Sequence, residues 1–175
     1  TTKVGNYTVK VQSTDSEGKK STETTVTVHV LDLIKVDPTV TTDPTNPSTS
    51  SPVSPKTADT PVKPGDENLG KYPAGLTRED LVKEVTRTIK YLKEEDANKD
   101  DATELKPDKV QKVTYKRTAT VNPETKEVTY SDWEVYNEAD KLTDATVDGT
   151  KGKFNAVESP VIDNYLLVNV TDKTI

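Results

Sequence analysis

Residues 110–133 read VQKVTYKRTATVNPETKEVTYSDW, and this stretch decides the fold class. Apolar and polar residues alternate over 110–121, which predicts one long β-strand. The segment NPETK at 122–126 is typical of a turn, and residues 128–133 alternate again. The stretch therefore predicts a β-hairpin. The side chains expected on one face of its long strand are Val113, Tyr115, Ala119 and Val121.

The flanking sequence extends this hairpin into a domain over residues 70–175. Thr77 is followed by two acidic residues and then Leu81, which predicts a short helix capped by the threonine. The remaining predicted elements, in chain order, are a strand over 85–92, an acidic loop over 94–101, a polar loop with room for a short helix over 134–153, and apolar segments over 154–157 and 161–168.

Residues 1–35 predict a second hairpin, in which two alternating runs flank the turn DSEG at 15–18. The apolar side chains of these runs are Tyr7, Val9 and Val11 in the first and Val26, Val28 and Val30 in the second. A two-stranded hairpin by itself is marginally stable in water. We therefore expect this region to be the end of a larger β domain that is truncated here.

Residues 36–69 predict a linker, because seven of the 11 prolines lie between Pro38 and Pro64. Proline fixes φ and removes a backbone donor, so we expect no sheet to run through this segment. Thr and Ser residues separate the prolines. The composition predicts a disordered, semi-rigid spacer with polyproline II character.

The composition favours strands and disfavours catalysis. Thr and Val account for 29 and 22 of the 175 residues, and both suit a pleated, half-buried surface. The chain has no Cys, and His29 is its single histidine, which excludes disulfides, thiolate catalysis and multi-His metal sites. His29 alternates with valines and has no evident nucleophile partner. We therefore expect a protein that is not an enzyme and has no cofactor.

The net charge of −6 disfavours nucleic acid as a partner, because binding to phosphates needs a basic patch. The sequence contains no apolar run of the roughly 20 residues that span a bilayer, so we expect no membrane insertion by this chain. The missing Cys and Met are compatible with an exposed, extracellular location.

Two sets of sequence blocks resemble known families. GNYTV at 5–9, DSEG at 15–18 and VTV at 26–28 resemble the last two strands of bacterial surface Ig-like domains, in which Tyr7 would be a corner tyrosine. The second set is KYPAGL at 71–76, DL at 80–81, VTRTIKY at 85–91, VQKVTYKRT at 110–118, Trp133, and FNAVESPVIDNY at 154–165. This set resembles the mucus-binding repeats of Gram-positive, especially lactobacillal, cell-surface adhesins, in the form known as the B2-like domain.

The second resemblance implies a mostly β (α+β), β-grasp-like domain with one short helix. It also implies adhesion to host mucin glycoproteins and a cell-wall-anchored surface protein. The signal peptide and the anchor would then lie outside this sequence, and a closing C-terminal strand would lie beyond Ile175. Some members of this family bind immunoglobulins, which is an alternative function, and a structural stalk or spacer module is another.

Four residues are candidates for ligand binding. Arg87 and Arg117 could contact sialic acid or sulfate on mucin glycans, or could instead pair across neighbouring strands. Trp133 and Tyr165 could stack on a sugar ring, or could instead pack in the core. The same two readings apply to three other tyrosines, Tyr91, Tyr115 and Tyr130.

The acidic loop holds a partial calcium motif. Asp96, Asn98 and Asp100 follow the spacing of the first half of an EF-hand loop. Asp101 stands where that motif needs glycine, and Pro107 stands where it needs glutamate. Two readings remain open, a calcium site of another type and a solvated loop.

Overall fold

The computed structural model describes residues 5–65 and 69–166. Within these residues the chain forms eleven strands and one short α-helix, which confirms the mostly β fold class. The strands are β1 (Gly5–Val11), β2 (Thr24–Val30), β3 (Ile34–Val36), β4 (Val82–Leu92), β5 (Glu104–Lys116), β6 (Ala119–Val121), β7 (Val128–Tyr130), β8 (Glu134–Val135), β9 (Leu142–Thr143), β10 (Ala145–Asp148) and β11 (Lys151–Phe154), and the helix is α1 (Arg78–Leu81).

The chain divides into two compact units. Unit 1 comprises Thr1–Leu81 and Arg117–Asp132, and unit 2 comprises Val82–Lys116 and Trp133–Ile175. No helix in the described part of the chain is long and apolar enough to cross a membrane. The end of the apolar segment predicted over 161–168 falls outside the described residues.

The N-terminal hairpin is present as predicted. β1 and β2 pair antiparallel, with Tyr7 opposite Val28 and Val9 opposite Val26. The carboxylate of Asp15 accepts hydrogen bonds from two backbone N–H groups of the turn, and Gly18 has a φ of 83°, which a glycine adopts without strain. Four valines of this hairpin, Val9, Val11, Val26 and Val28, are exposed. Its resemblance to an Ig-like domain stays a prediction.

The core of unit 1 contains residues from the predicted linker. β3, β6 and β7 form a three-stranded antiparallel sheet in that order. Val36, Val53 and Val62, all from residues 36–69, are buried in the core that this sheet covers. The other buried members are Ile34, Tyr72, Leu76, Leu81, Ala119 and Val121. The prediction of a disordered spacer over 36–69 is therefore wrong for its described part, because three of its valines are anchored in a shared core.

The backbone of this Pro-rich segment is held by specific hydrogen bonds. Val53 donates its N–H to the carbonyl of Lys35 at 2.9 Å, and Asp37 donates to the carbonyl of Val53 at 2.9 Å. Asp43 accepts hydrogen bonds from the backbone and the hydroxyl of Ser54 and pairs with Lys56. Desolvation raises the pKa of Asp43, but these donors outweigh it and hold the pKa below its ordinary value. Prolines remove donors from a sheet, yet they leave valine side chains and carbonyls available for such packing.

A buried tyrosine makes the stability of unit 1 dependent on pH. Burial of Tyr72, with the charge of Asp43 nearby, raises the pKa of its hydroxyl to about 12. In the unfolded chain that pKa is about 10, so only the unfolded form releases the proton between these values. Stability contributed by neutral Tyr72 is therefore complete below about pH 10 and is lost as the pH rises through about 12.

We expect the free energy of unfolding to fall more steeply above about pH 10 in the wild type than in the variant Tyr72→Phe. Urea titrations of both proteins at about pH 9 and about pH 11.5 measure this difference. Other tyrosines and lysines titrate equally in both proteins, so the comparison isolates Tyr72. Identical pH dependences in the two proteins would contradict the buried, neutral state of Tyr72.

Unit 2 is built on the long strand β5. It pairs antiparallel with β4 on one side and with β8 and β9 on the other, while β10 and β11 form a separate hairpin. The residues over 134–153 therefore contain four short strands (β8–β11), and the prediction of a polar loop with room for a helix is wrong there. Strands of two to four residues carry too few side chains for a period-2 pattern to reveal them.

The predicted strand over 110–121 is two strands in different sheets. β5 ends at Lys116 and β6 begins at Ala119. Val113 and Tyr115 therefore lie in one sheet, whereas Ala119 and Val121 lie in another. After the break the chain changes partners, since Arg117 donates its backbone N–H to Leu81 and Thr118 donates to the hydroxyl of Ser131. The alternation continues across this break, which is why the sequence predicts a single strand.

The turn and the helix cap agree with the sequence. Asn122 accepts hydrogen bonds from the backbone N–H groups of Glu124 and Thr125, and β6 and β7 pair on either side of this turn. Thr77 and Asp80 form a reciprocal cap, in which the Thr77 hydroxyl and backbone N–H donate to the Asp80 carboxylate and the Asp80 backbone N–H donates to the Thr77 hydroxyl. The β-grasp-like arrangement itself stays a prediction.

Candidate functional site

Arg87 lies on β4 and points into a polar cluster inside unit 2. It sits opposite Gln111 on β5, and its Nε donates to the Gln111 side-chain oxygen at 2.6 Å. A second guanidinium nitrogen donates to the carbonyl of Asn155 at 2.9 Å. The guanidinium carbon lies 5.2 Å from the centre of the Phe154 ring, a distance typical of a cation–π contact. These contacts favour the cross-strand reading of Arg87.

Gln111 completes this cluster, which we call the Gln111 network. Its side chain is 0% exposed, and its amide nitrogen donates to the carbonyls of Asp144 and Asn155 at 3.0 and 2.9 Å. The network therefore joins β4, β5 and the segments on both sides of the β10–β11 hairpin. A buried amide is tolerated only when its donors and acceptor are satisfied, as they are here.

Arg117 belongs to unit 1 and covers an aromatic ring. Its guanidinium carbon lies 3.8 Å from the centre of the Tyr130 ring, and its Nε donates to the carbonyl of Asp80 at 3.0 Å. The Tyr130 hydroxyl donates to the carbonyl of Gly75 at 2.9 Å. A Cβ atom on Gly75 would lie 2.3 Å from that hydroxyl, so glycine is required for this close approach. Arg117 therefore also has a structural role, and its role as a ligand contact stays a prediction.

The two remaining aromatic candidates are accessible to a ligand. Trp133 is 37% exposed and Tyr165 is 45% exposed. The alternative reading, in which Trp133 packs in the core, is wrong, because its side chain is exposed and the buried side chains are mainly aliphatic residues and the tyrosines Tyr72 and Tyr136. Both residues therefore stay candidates for stacking on a sugar ring.

The partial calcium motif adopts a short 3-10 turn at Glu94–Asp96. The carboxylate of Asp96 pairs with Lys99 at 2.7 Å, a contact that competes with a cation. Among the described residues, no group of three or more His, Cys, Asp or Glu side chains is placed to hold a metal ion. These contacts favour a solvated loop for Asp96, Asn98 and Asp100, and calcium binding stays a prediction.

Sequence reasoning missed an open groove on unit 2, which we call the bulge groove. Its volume is about 430 Å³, and it is lined by Tyr91, residues 106–109, Val157, Glu158 and Pro160. The register between β4 and β5 is irregular at this place. The sequence carries one signal of this irregularity, since Pro107 lies within a strand, where proline marks edges and bulges.

Comparison with known families adds to this geometry. The family model of the Muc B2-like domain matches residues 76–174, more than half of the chain. The chain belongs to the Muc B2-like domain family. No curated protein and no solved structure matches the chain. This family membership agrees with the resemblance found in the sequence, and it indicates a mucus-binding, adhesin-type module of an extracellular surface protein rather than an enzyme.

The Muc B2-like segment includes α1, the strands β4–β11, the Gln111 network and the bulge groove. It begins at Leu76, which is fully buried in the core of unit 1. Val36, Val53 and Val62 precede the matched segment and pack in that same core. The Muc B2-like segment in this chain therefore shares a core with residues that lie outside its family match.

Proposed function

We propose that this chain is a module of a cell-surface adhesin that holds host mucin glycoproteins through weak, repeated contacts. The observation that carries the proposal is the Muc B2-like match over residues 76–174. The surface supports it, because aromatic side chains such as Trp133 and Tyr165 are exposed and available to a ligand. The parent protein is proposed to be anchored to the cell wall of a Gram-positive bacterium of the lactobacillal type.

The proposed mechanism depends on repetition. The bulge groove is open and shallow, which suits low affinity for a single ligand group. Linking several such modules turns later binding events into intramolecular ones, which raises the avidity about 10²-fold to 10⁴-fold without any new contact. Mucins present many similar glycans along one chain, so they are suited to this mode of binding.

A stalk module is the second candidate function. The observation that favours it is that Arg87 and Arg117 both make internal contacts that stabilise the fold. In this alternative the module would extend the adhesin, and binding would reside elsewhere in the parent protein. Immunoglobulin binding is a third candidate function, and the experiment below tests it with immobilised immunoglobulin G.

The proposal is tested by comparing one copy of the full chain with a tandem pair joined by a flexible linker. Binding of both to immobilised mucin and to immobilised immunoglobulin G is followed by surface plasmon resonance. We expect weak, saturable binding of the single copy to mucin and binding at least about 10²-fold tighter by the pair. A stalk module would give no retention of either protein. Saturable binding to immunoglobulin G alone would identify immunoglobulin, and not mucin, as the partner.

A further inference from the structure

The bulge groove lies where β4 and β5 lose their regular pairing. Ile89 is opposite Lys109, whereas Tyr91 is opposite Lys106, so β5 contains one more residue than β4 over this interval. An extra residue on one strand is a β-bulge, which redirects the neighbouring side chains and is frequent beside binding sites. Pro107 lies within the bulge, a position that tolerates a residue without a backbone donor. The bulge therefore creates a local surface that a regular strand pair would not have.

Asp108 carries an unsatisfied oxygen at this bulge. Its Oδ1 atom is shielded from solvent and has no hydrogen-bond partner in the part of the chain that the structure describes. A buried acceptor without a donor costs on the order of 1–3 kcal/mol. Asp108 lines the groove, and the terminal torsion of aspartate is broad, so rotation about it can present either carboxylate oxygen to a ligand. A ligand that supplies a hydrogen-bond donor here would recover this energy.

The charges of the groove disfavour an acidic ligand. Lys109 pairs with Asp144, which does not line the groove. The lining then retains Lys106 against the carboxylates of Asp108 and Glu158. With two negative charges against one positive charge, an anionic group meets net repulsion at close range. A neutral hydroxyl group, by contrast, can donate to a carboxylate and form a strong, charge-assisted hydrogen bond.

The rest of the lining is apolar. It consists of Tyr91, Pro107, Val157 and Pro160. Sites that combine apolar or aromatic walls with a few placed polar groups bind small ligands that have both kinds of surface. A sugar ring has this character, because its C–H face packs on an aromatic ring while its hydroxyl groups donate hydrogen bonds.

We propose that the bulge groove binds a neutral saccharide. A ring hydroxyl donates to the carboxylate of Asp108, and the apolar face of the ring packs on Tyr91 and Pro107. This inference rests on the proposed adhesin function and deepens it, since it selects neutral sugars over the sialic acid and sulfate groups that the arginines suggested. Binding of the peptide part of a glycoprotein is the competing outcome.

The first experiment titrates the full, isotope-labelled chain with galactose and, separately, with N-acetylglucosamine, and follows the backbone amides by NMR. We expect saturable shifts concentrated at Tyr91, Lys106, Asp108, Lys109 and Glu158, with dissociation constants of about 1 mM or weaker. A parallel titration with N-acetylneuraminic acid should give weaker binding. Absence of localised shifts with both neutral sugars, or tighter binding of the acidic sugar, would overturn the inference.

The second experiment uses a matched pair of variants. Asp108→Asn preserves the shape of the side chain but weakens the acceptor, and we expect sugar binding roughly fivefold to tenfold weaker. Its unfolding midpoint should be unchanged or higher, because the shielded oxygen no longer carries charge; a purely structural role would lower it. Asp148→Asn, at an exposed position in β10, should bind as the wild type does. Equal sugar affinity of Asp108→Asn and the wild type would refute sugar binding in the bulge groove.

The same variants on immobilised mucin separate this inference from the proposed function. If the wild type and Asp108→Asn bind mucin equally well, the groove inference fails and the adhesin function stands. If neutral sugars bind in the groove but the wild type does not bind mucin, the adhesin function fails and the groove stands.

Discussion

Replacing Val53 by aspartate is expected to abolish the folded core of unit 1. Val53 is 1% exposed and lies in the Pro-rich segment, where it packs with Val36 and Leu76 in one core. Burying a carboxylate without a partner costs several kcal/mol. Because whole domains are stable by only about 5–15 kcal/mol, this change removes much or all of the available stability.

Hydrogen exchange measures this effect at individual amides. The N–H groups of Asp37, Val62 and Tyr72 each donate to a backbone carbonyl in unit 1 and should lose their protection in Val53→Asp. The control Leu33→Asp places the same charge immediately before β3, at a position that is 46% exposed, and it should leave protection nearly unchanged. Equal protection of the three amides in Val53→Asp and the wild type would mean that the Pro-rich segment is a spacer after all.

Replacing Gln111 by leucine is expected to destabilise unit 2 by about 1–3 kcal/mol. Leucine has a similar size, but it leaves the Nε of Arg87 without its acceptor, and the carbonyls of Asp144 and Asn155 each lose one of two donors. Each buried polar group left unsatisfied costs on the order of 1–3 kcal/mol. Urea denaturation followed by the fluorescence of Trp133, the one tryptophan of the chain, measures the loss.

A control and a double mutant sharpen this test. Gln12→Leu makes the same chemical change at an exposed position of the N-terminal segment and should alter stability by no more than about 0.5 kcal/mol. Adding Arg87→Met to Gln111→Leu removes the guanidinium whose Nε has lost its acceptor, so the double mutant should be less destabilised than the sum of the single mutants by about 1 kcal/mol or more. Strict additivity would show that Arg87 and Gln111 act independently.

Local sequence patterns predicted the local elements well. The hairpin of residues 5–30, the turn at 122–126 and the capped helix after Thr77 each depend on residues close together in the sequence. Turn chemistry and period-2 alternation describe such elements directly. The family resemblance carried by the blocks between 71 and 165 was also confirmed. It was predictable because the order and spacing of the blocks are properties of the sequence itself.

The failures concern long-range partners. Alternation predicted that Val113 and Val121 face the same way, but it contains no information on which sheet each joins, and the chain changes sheets between them. Proline content predicted a spacer at Val53, although burial of that side chain is decided by distant residues such as Leu76. These contacts depend on tertiary packing, which overrides local propensity.

The candidate site was predictable only in part. Arg87 was recognised as a residue that pairs across strands or binds an anion, and the structure supplies its partner, Gln111. The bulge groove was missed because a β-bulge is a mismatch between two strands, and Pro107 alone does not reveal the register of the strand opposite. Asp108 became notable only when the surroundings of its carboxylate were known.

Periodate oxidation of mucin glycans tests most directly whether this Muc B2-like chain recognises the glycans of mucus. We expect saturable retention on intact mucin, a loss of at least about tenfold after oxidation, and no saturable retention on an unglycosylated control protein. Equal retention on intact mucin, oxidised mucin and the control protein would show that the chain does not recognise these glycans.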